Sequence, residues 1–320
     1  MTGPPAATAA VRLAVRRALP AGPVAAAVSG GADSLALAAA LARLRPEAYA
    51  LVVDHGLQPG SPEVAQRAAD RCRALGLRAE VLTACALEDA QHHGAGDLPK
   101  STNEGPEARA RTARYELLAA AADRLSLEAV LLGHTLDDQA ETVLLGLARG
   151  SGARALAGMA SRRGRYRRPL LALDRATVRA ACDQAGLIPW EDPHNADEAY
   201  ARVRVRRTAL PGLEGALGPG VAAALARTAD QLREDADALD GLTPDLAHEP
   251  DCEDLSALPA ALRSRALKRW AERESGRAVT SVHVSALRAL VERWHGQGAV
   301  DLPGGARVER HDGRLTCRRD

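Results

Sequence analysis

Along the first 150 residues, short apolar runs alternate with longer amphipathic stretches. Val24–Val28 (VAAAV) is a continuous run of small and β-branched residues, which predicts a strand buried on both faces. Leu35, Leu37, Leu41 and Leu44 then fall among alanines and predict a helix. The alternation repeats: strand over Tyr49–Asp54, helix over Pro62–Leu75, strand over Arg78–Thr83, a long helix opening at Pro106, and strand over Ala129–Gly133. Val11, Ala14, Val15, Ala18 and Leu19 add a helix at the start. Strands that recur between helices predict an α/β fold, a doubly wound parallel sheet.

After Gly150 the rhythm changes. Ser161–Arg168 (SRRGRYRR) predicts a basic loop and Arg175–Gly186 a helix. The Gly- and Pro-rich Leu210–Gly220 marks a boundary, giving domains at 1–217 and 218–320. The second is smaller and mainly helical, with helices over Val221–Leu239, Ala260–Glu274 and Val282–His295. It ends in a β-hairpin, Ala306–Arg310 and Arg314–Cys317 about an Asp312-Gly313 turn. Trp270 and Trp294 fall at apolar helical positions and are expected in its core.

Composition changes this picture little. With no Phe and 2% aromatic residues, the core must be Ala, Leu and Val. Net charge is +1, but 13 Arg face 6 acids over 149–207, while 10 acids face one Arg over 228–256. That asymmetry suits a polyanion on one surface only. Five scattered cysteines without a C-x-x-C fit a reducing cytoplasm and argue against a disulfide framework or zinc site. No apolar run approaches a membrane span.

The chemistry concentrates where strands end. Ser29-Gly30-Gly31-Ala32-Asp33-Ser34 follows the first strand and opens a helix. Glycines let the backbone turn and approach a ligand, and the first N–H groups of the helix favour phosphate. Ser29 and Ser34 add hydroxyls, and Asp33 is useful if Mg²⁺ bridges it to phosphate. No Walker or dinucleotide pattern is present. His134-Thr135-Leu136-Asp137-Asp138-Gln139-Ala140-Glu141 follows the fourth strand, its three acids on one helical side, able to hold Mg²⁺ or an ammonium group. Helix-dipole complementarity explains one or two of these acids but not the histidine before them. Arg111 and Arg114 share a helix face and suit a triphosphate or nucleic-acid backbone.

SGGADS resembles the pyrophosphate loop of the N-type ATP pyrophosphatases. With DHGL (Asp54–Leu57), EARARTARY (Glu107–Tyr115), GHTLDDQAETVLLGLARGSG (Gly133–Gly152), RPLL (Arg168–Leu171) and WEDPHNADEAYARVRVR (Trp190–Arg206), the chain resembles the bacterial tRNA(Ile)-lysidine synthases over most of residues 24–211. The resemblance implies a PP-loop domain of the adenine nucleotide alpha hydrolase type and a C-terminal tRNA-binding domain. It implies ligation of L-lysine to C2 of the wobble cytidine of tRNA(Ile) with a CAU anticodon, through an adenylated cytidine, with ATP and Mg²⁺.

By the same resemblance, ATP is bound by Ser29, Gly30, Gly31, Ala32, Asp33, Ser34, Asp54, His55, Gly133 and Arg114. Asp33, His134, Asp137, Arg111 and Arg202 are catalytic, and Asp137, Asp138 and Glu141 bind lysine. Asp33 and Asp138 hold the metal. Arg162, Arg163, Arg165, Arg167, Arg168 and Arg206 meet tRNA, with Tyr166 or Trp190 available for base stacking. A cytoplasmic enzyme is implied, and a homodimer is compatible with the family. Departures from the family pattern are Gly105, His194, Val203 and Val205, which stand where Asn, Ser, Asn and Ile are usual. A cytidine thiolase with the same loop would need paired cysteines. A small-molecule amidating ligase would need no basic surface, and a non-enzymatic ATP-sensing, RNA-binding module no acid cluster beside a polyphosphate.

Overall fold

A computed structural model describes residues 3–54, 56, 60–83, 106–150 and 152–319, the side chains of 106–110 and 194 excepted. His55 and the 85–105 stretch lie outside the described residues. The chain divides into two compact units, Met1–Gln231 and Leu232–Asp320.

The first unit is built on a six-stranded sheet: β1 (Val24–Val28), β2 (Tyr49–Val53), β3 (Arg78–Leu82), β4 (Ala129–Leu132), β5 (Arg162–Arg163) and β6 (Tyr166–Arg167), in the order β3-β2-β1-β4-β6-β5. All neighbours are parallel except β5 and β6. Every residue of β1 is buried, and alternate residues enter different cores. Val24, Ala26 and Val28 pack with Val11, Leu35, Leu41 and Val178; Ala25 and Ala27 pack with Leu117, Leu118 and Val130. Helices on both faces explain the continuous apolar run. These helices include α1 (Ala6–Ala18), α2 (Ala32–Leu44) and α3 (Ser61–Ala74) on one side and α4 (Pro106–Arg124) on the other.

Between β1 and β4 the order reverses: the chain leaves β1 towards β2, whereas β4 lies on its other side. In open α/β sheets the ligand crevice lies beyond the strand ends at this switch. The two most chemical segments of the sequence leave β1 and β4 there. The chain continues through α5 (Leu136–Ala148), α6 (Ala153–Leu156), α7 (Arg175–Gln184), α8 (Ala201–Arg204), a π-helical turn over Val205–Ala209, and α9 (Leu210–Leu217).

Two sequence expectations change here. Residues 161–168 form a hairpin rather than a loop, because Gly164 takes φ +55° and lets β6 pair with β4. The stretch 210–220 is mostly helix: α9 runs on from the π-helical turn with Pro211 near their junction, and Gly218 at φ +91° ends it. No single described helix is long and apolar enough to cross a membrane.

The second unit contains part of α10 (Val221–Leu242), then α11 (Cys252–Ala257), α12 (Ala260–Ser275) and α13 (Ser281–Glu292). Its sheet adds a strand to the expected hairpin: β7 (Val300–Leu302), β8 (Ala306–His311) and β9 (Arg314–Arg319) are antiparallel in that order. Trp270 is in the core, 1% exposed, with Leu255, Leu267, Leu287 and Val308. Trp294 is not: it is 40% exposed, with the Arg310 guanidinium 5.6 Å from its ring centre. It stands beyond the last residue of α13, so the apolar period no longer directs it inward.

Candidate active site

The loop after β1 is held by its own short contacts. Ser34 Oγ donates to the Gly31 carbonyl at 2.9 Å, and the Ser29 N–H donates to Ser34 Oγ at 3.2 Å. Gly30 takes φ +86°, left-handed backbone that glycine adopts without cost. Its carbonyl accepts from the Trp190 N–H at 2.9 Å. No side chain caps the N-terminus of α2, so its first N–H groups are presented to whatever binds in the turn. Gly133, at the end of β4, passes so close that an added Cβ would lie 3.2 Å from the backbone of Asp33 and Ser34. The two strand ends are therefore in contact at the switch point.

A cavity of 560 Å³ opens beside the loop, between the ends of β1 and β2. Ser29, Asp54, Ser61, Arg114 and Trp190 contribute to its wall. Asp54 is fixed by donors from the Gly56 N–H and Ser61 Oγ. Arg111 stacks over the Tyr115 ring, 5.4 Å from its centre.

The acids of α5 occupy the opposite side of the crevice. Thr135 is the N-cap, and Asp138 Oδ2 accepts from the Thr135 N–H at 2.8 Å and its hydroxyl at 3.0 Å. Asp137 Oδ2 accepts from the Arg175 N–H at 2.7 Å, which is the first helical N–H of α7. Glu141 has no exposed surface. It accepts from Arg206 Nε at 2.7 Å and Arg175 Nη2 at 3.1 Å, with Arg202 Nε 3.3 Å away. Arg175 Nη2 also donates to Asp138 Oδ1 at 2.9 Å, and its Nε lies 3.9 Å from Asp33 Oδ2. The phosphate-loop aspartate and the α5 acids are thus one guanidinium apart. Glu141, offered by the sequence as a lysine ligand, is the centre of an arginine cage, and Asp138 is engaged at both oxygens. Asp137 keeps an oxygen to which no described group donates.

These placements set the electrostatics. Burial, then the Asp138 charge, pushes the Asp33 carboxyl up from 3.8 to about 6, with Arg175 and Arg206 opposing. Asp33 Oδ1 is buried and has no hydrogen-bond partner among the described residues. Burial alone would raise Asp138, but Arg175 and the Thr135 N–H hold it below the usual carboxylate range. Burial drives the His134 imidazole down to about 3; Asp138 opposes this and Arg168, Arg114 and Arg111 reinforce it. His134 is therefore neutral, with a buried Nδ1 that has no partner among the described residues.

The basic hairpin divides in two. Arg162 and Arg163 are exposed. Arg165 pairs with Asp123 at 2.7 Å, and Arg167 donates to the Ala18 carbonyl at the end of α1. Arg168 is 7% exposed and donates to the Ala160 carbonyl. Those last two face inward because β6 joins the sheet, so the exposed surface for a polyanion is narrower than the eight-residue run suggests. Tyr166 packs edge-on against Tyr115, ring centres 5.0 Å apart, rather than standing free for a base.

Sequence reasoning missed Arg175. No motif marks it, but one signal existed: an arginine in the first turn of a helix opposes the helix dipole, and Asp174 already caps that helix through the Thr177 N–H. The π-helical turn was equally invisible. It follows Arg202 and contains Arg206, both of which reach Glu141, while Val203 between them is buried.

Comparison with known proteins agrees with this geometry. The family described as PP-loop domain matches residues 8–213, and that described as TilS substrate binding domain matches 251–316. A curated tRNA(Ile)-lysidine synthase from Thermobifida fusca is 50% identical over the full length of both chains. One from Streptomyces coelicolor is 49% identical over 99% of each. Among solved structures, the U34-tRNA thiolase NcsA from Methanococcus maripaludis, with its [4Fe-4S] cluster, superposes with a TM-score of 0.58. It covers 71% of this chain and 79% of its own at 19% identity, a likeness of fold alone.

Proposed function

The chain belongs to the tRNA(Ile)-lysidine synthase family, and from that premise we propose which of its residues carry each part of the reaction. It is an ATP-dependent ligase that forms lysidine on tRNA(Ile). Two transfers compose the reaction. The C2 oxygen of the wobble cytosine attacks the α-phosphorus of ATP and pyrophosphate leaves. The ε-amine of L-lysine then attacks C2, and AMP leaves with the oxygen. Adenylation is needed because an amide-like oxygen is a poor leaving group. The change at C2 shifts codon reading from AUG to AUA.

The 29–34 loop and the N-terminus of α2 hold the departing pyrophosphate, and the cavity lined by Asp54, Arg114 and Trp190 takes the nucleoside end of ATP. Arg111 and Arg114 offset phosphate charge as pyrophosphate separates. Neutral His134, its Nδ1 unpartnered, hydrogen-bonds at the α-phosphate without adding charge. Asp137 receives the lysine ammonium, because it alone of the three α5 acids keeps an oxygen clear of described donors. Glu141 with Arg202 and Arg206 braces that acid face. Arg162 and Arg163 meet tRNA phosphates.

Mg²⁺ fits at Asp33: its buried Oδ1, without a partner among the described residues, and its raised carboxyl mark a place where a cation is wanted, with Asp138 nearby. Among the described residues no three metal-binding side chains gather, as expected for an ion that takes one or two carboxylates and completes its shell with phosphate oxygens. Such an ion would neutralise charge on the leaving pyrophosphate.

We assign ATP binding, catalysis and the Arg162–Arg163 contact with tRNA to the first unit, and the remaining tRNA docking to the second. A cytoplasmic setting is supported by the four described cysteines, all free thiols. A homodimer rests on resemblance alone and is read by sedimentation.

One observation carries the reading: Arg175 lies within 4.0 Å of both Asp33 and Asp138, so adenylation and amine delivery share one crevice. Asp137→Asn tests it. A lysine KM raised by about tenfold or more, with pyrophosphate release on tRNA and ATP retained, is expected from losing a charge-assisted contact. An unchanged lysine KM refutes the assignment of Asp137.

A further inference from the structure

Arg175 touches all three acids of α5 and the aspartate of the phosphate loop. Its backbone N–H donates to Asp137, and its guanidinium reaches Asp138 at 2.9 Å, Glu141 at 3.1 Å and Asp33 at 3.9 Å. The three guanidinium contacts are not equivalent. Those to Asp138 and Glu141 are hydrogen bonds; that to Asp33 is a longer ion pair with no hydrogen bond. The side chain is 25% exposed, so it is neither sealed in nor solvated. The residue also stands in the first turn of α7, where a cation opposes the helix dipole. A local rule broken without a local gain points to a role at the site.

We propose that Arg175 is the positioning residue that couples the ATP site to the lysine site. The inference rests on the reading that ATP phosphates occupy the 29–34 loop. A triphosphate there adds several negative charges on the Asp33 side of the guanidinium, more than a single Mg²⁺ held at Asp33 would offset. Arg175 is then drawn from Asp138 Oδ1 towards the phosphates, a displacement its long stem absorbs. Among the described donors Asp138 Oδ1 keeps only Arg206, at 3.4 Å, and becomes available beside Asp137 to an ammonium group. Glu141 does not follow, because Arg206 and Arg202 still hold it. Lysine thus binds well only after the nucleotide that will activate its target is in place. By linkage, lysine tightens the nucleotide by the same factor.

The experiment measures lysine affinity by titration calorimetry on the full chain, with and without an ATP analogue whose α,β-bridging oxygen is replaced by methylene. For the unmodified protein, the analogue should tighten lysine by about 5- to 150-fold, the usual range of coupling between sites. In Arg175→Met the two lysine affinities should converge to within about twofold, below that range, while the analogue still binds. Arg175→Lys keeps the charge but loses the fork that spans two carboxylates, and should retain a reduced coupling with an intact melting profile. It also covers the case in which the methionine variant fails to fold. The proposal is overturned if the unmodified protein shows no coupling, or if a folded variant keeps the full coupling. Failure of the analogue to bind the unmodified protein would instead overturn the underlying placement of ATP, and the proposal with it.

Discussion

Glu141→Gln separates a brace from a substrate ligand. The carboxylate has no exposed surface and accepts from Arg206 Nε, Arg206 Nη2 and Arg175 Nη2 at 2.7, 3.2 and 3.1 Å, with Arg202 Nε 3.3 Å away. Glutamine keeps the shape but removes the charge and turns one acceptor into a donor aimed at a guanidinium. Breaking a buried ion pair from one side costs about 3–5 kcal/mol. Here the arginine side chains are 25–34% exposed, and Arg175 and Arg206 retain Asp138, so water and that acid offset part of the loss. A destabilisation of about 2–3 kcal/mol follows, and for a unit of this size each kcal/mol moves Tm by about 2–4 °C. Thermal unfolding of the full chain should therefore fall by about 4–12 °C. The lysine KM of the protein that remains folded should change less than for Asp137→Asn. A melting shift below about 2 °C together with a large rise in lysine KM would refute the reasoning and make Glu141 a direct ligand.

Asp33 links stability to activity with opposite signs. Below pH 3.8 its carboxyl is protonated in both folded and unfolded chains; as pH rises to about 6 the unfolded chain gives up its proton first, so stability falls across that window and stays lower above it. The cost at pH 7 is at most about 3 kcal/mol. Asp33→Asn should raise Tm at pH 7, lose that gain near pH 4, and abolish ligation; an equal gain at both pH values refutes the link. His134, neutral throughout, should contribute no limb to ligation as pH falls through about 6. Replacing exposed Arg162 and Arg163 by alanine should weaken tRNA binding and lower the magnitude of its salt slope by about 1 for each phosphate no longer neutralised, with ATP and lysine KM unchanged. An unaltered salt slope would remove the hairpin from the tRNA surface.

The legible part of this protein is the part written in local patterns. Val24–Val28 reads as buried because its period vanishes, and the loop after it reads as a phosphate site because its glycines, hydroxyls and helix start are consecutive. The acids of α5 are equally consecutive. What they touch is not: Arg175, Arg202 and Arg206 reach Glu141 from 34, 61 and 65 residues away in sequence, and no spacing rule predicts such meetings. So the acids were visible and their engagement was not. Trp294 and the 161–168 hairpin changed for the same reason, since a helix ending early and a strand finding β4 are decided by tertiary packing.

The unequal reach of these contacts shapes how the enzyme fails. The turn that grips nucleotide is tied mainly by its own bonds spanning three to five residues, with one distant bond from the Trp190 N–H, whereas the acid wall is knotted together wholly from distant parts of the chain. Loosening residues 175–206 would strip amine delivery and release the Trp190 bond to the turn, leaving nucleotide held by the turn's own short bonds and the start of α2. A heat-worn molecule would then hold its fuel without joining anything to it, an idle state that leaves the anticodon unaltered.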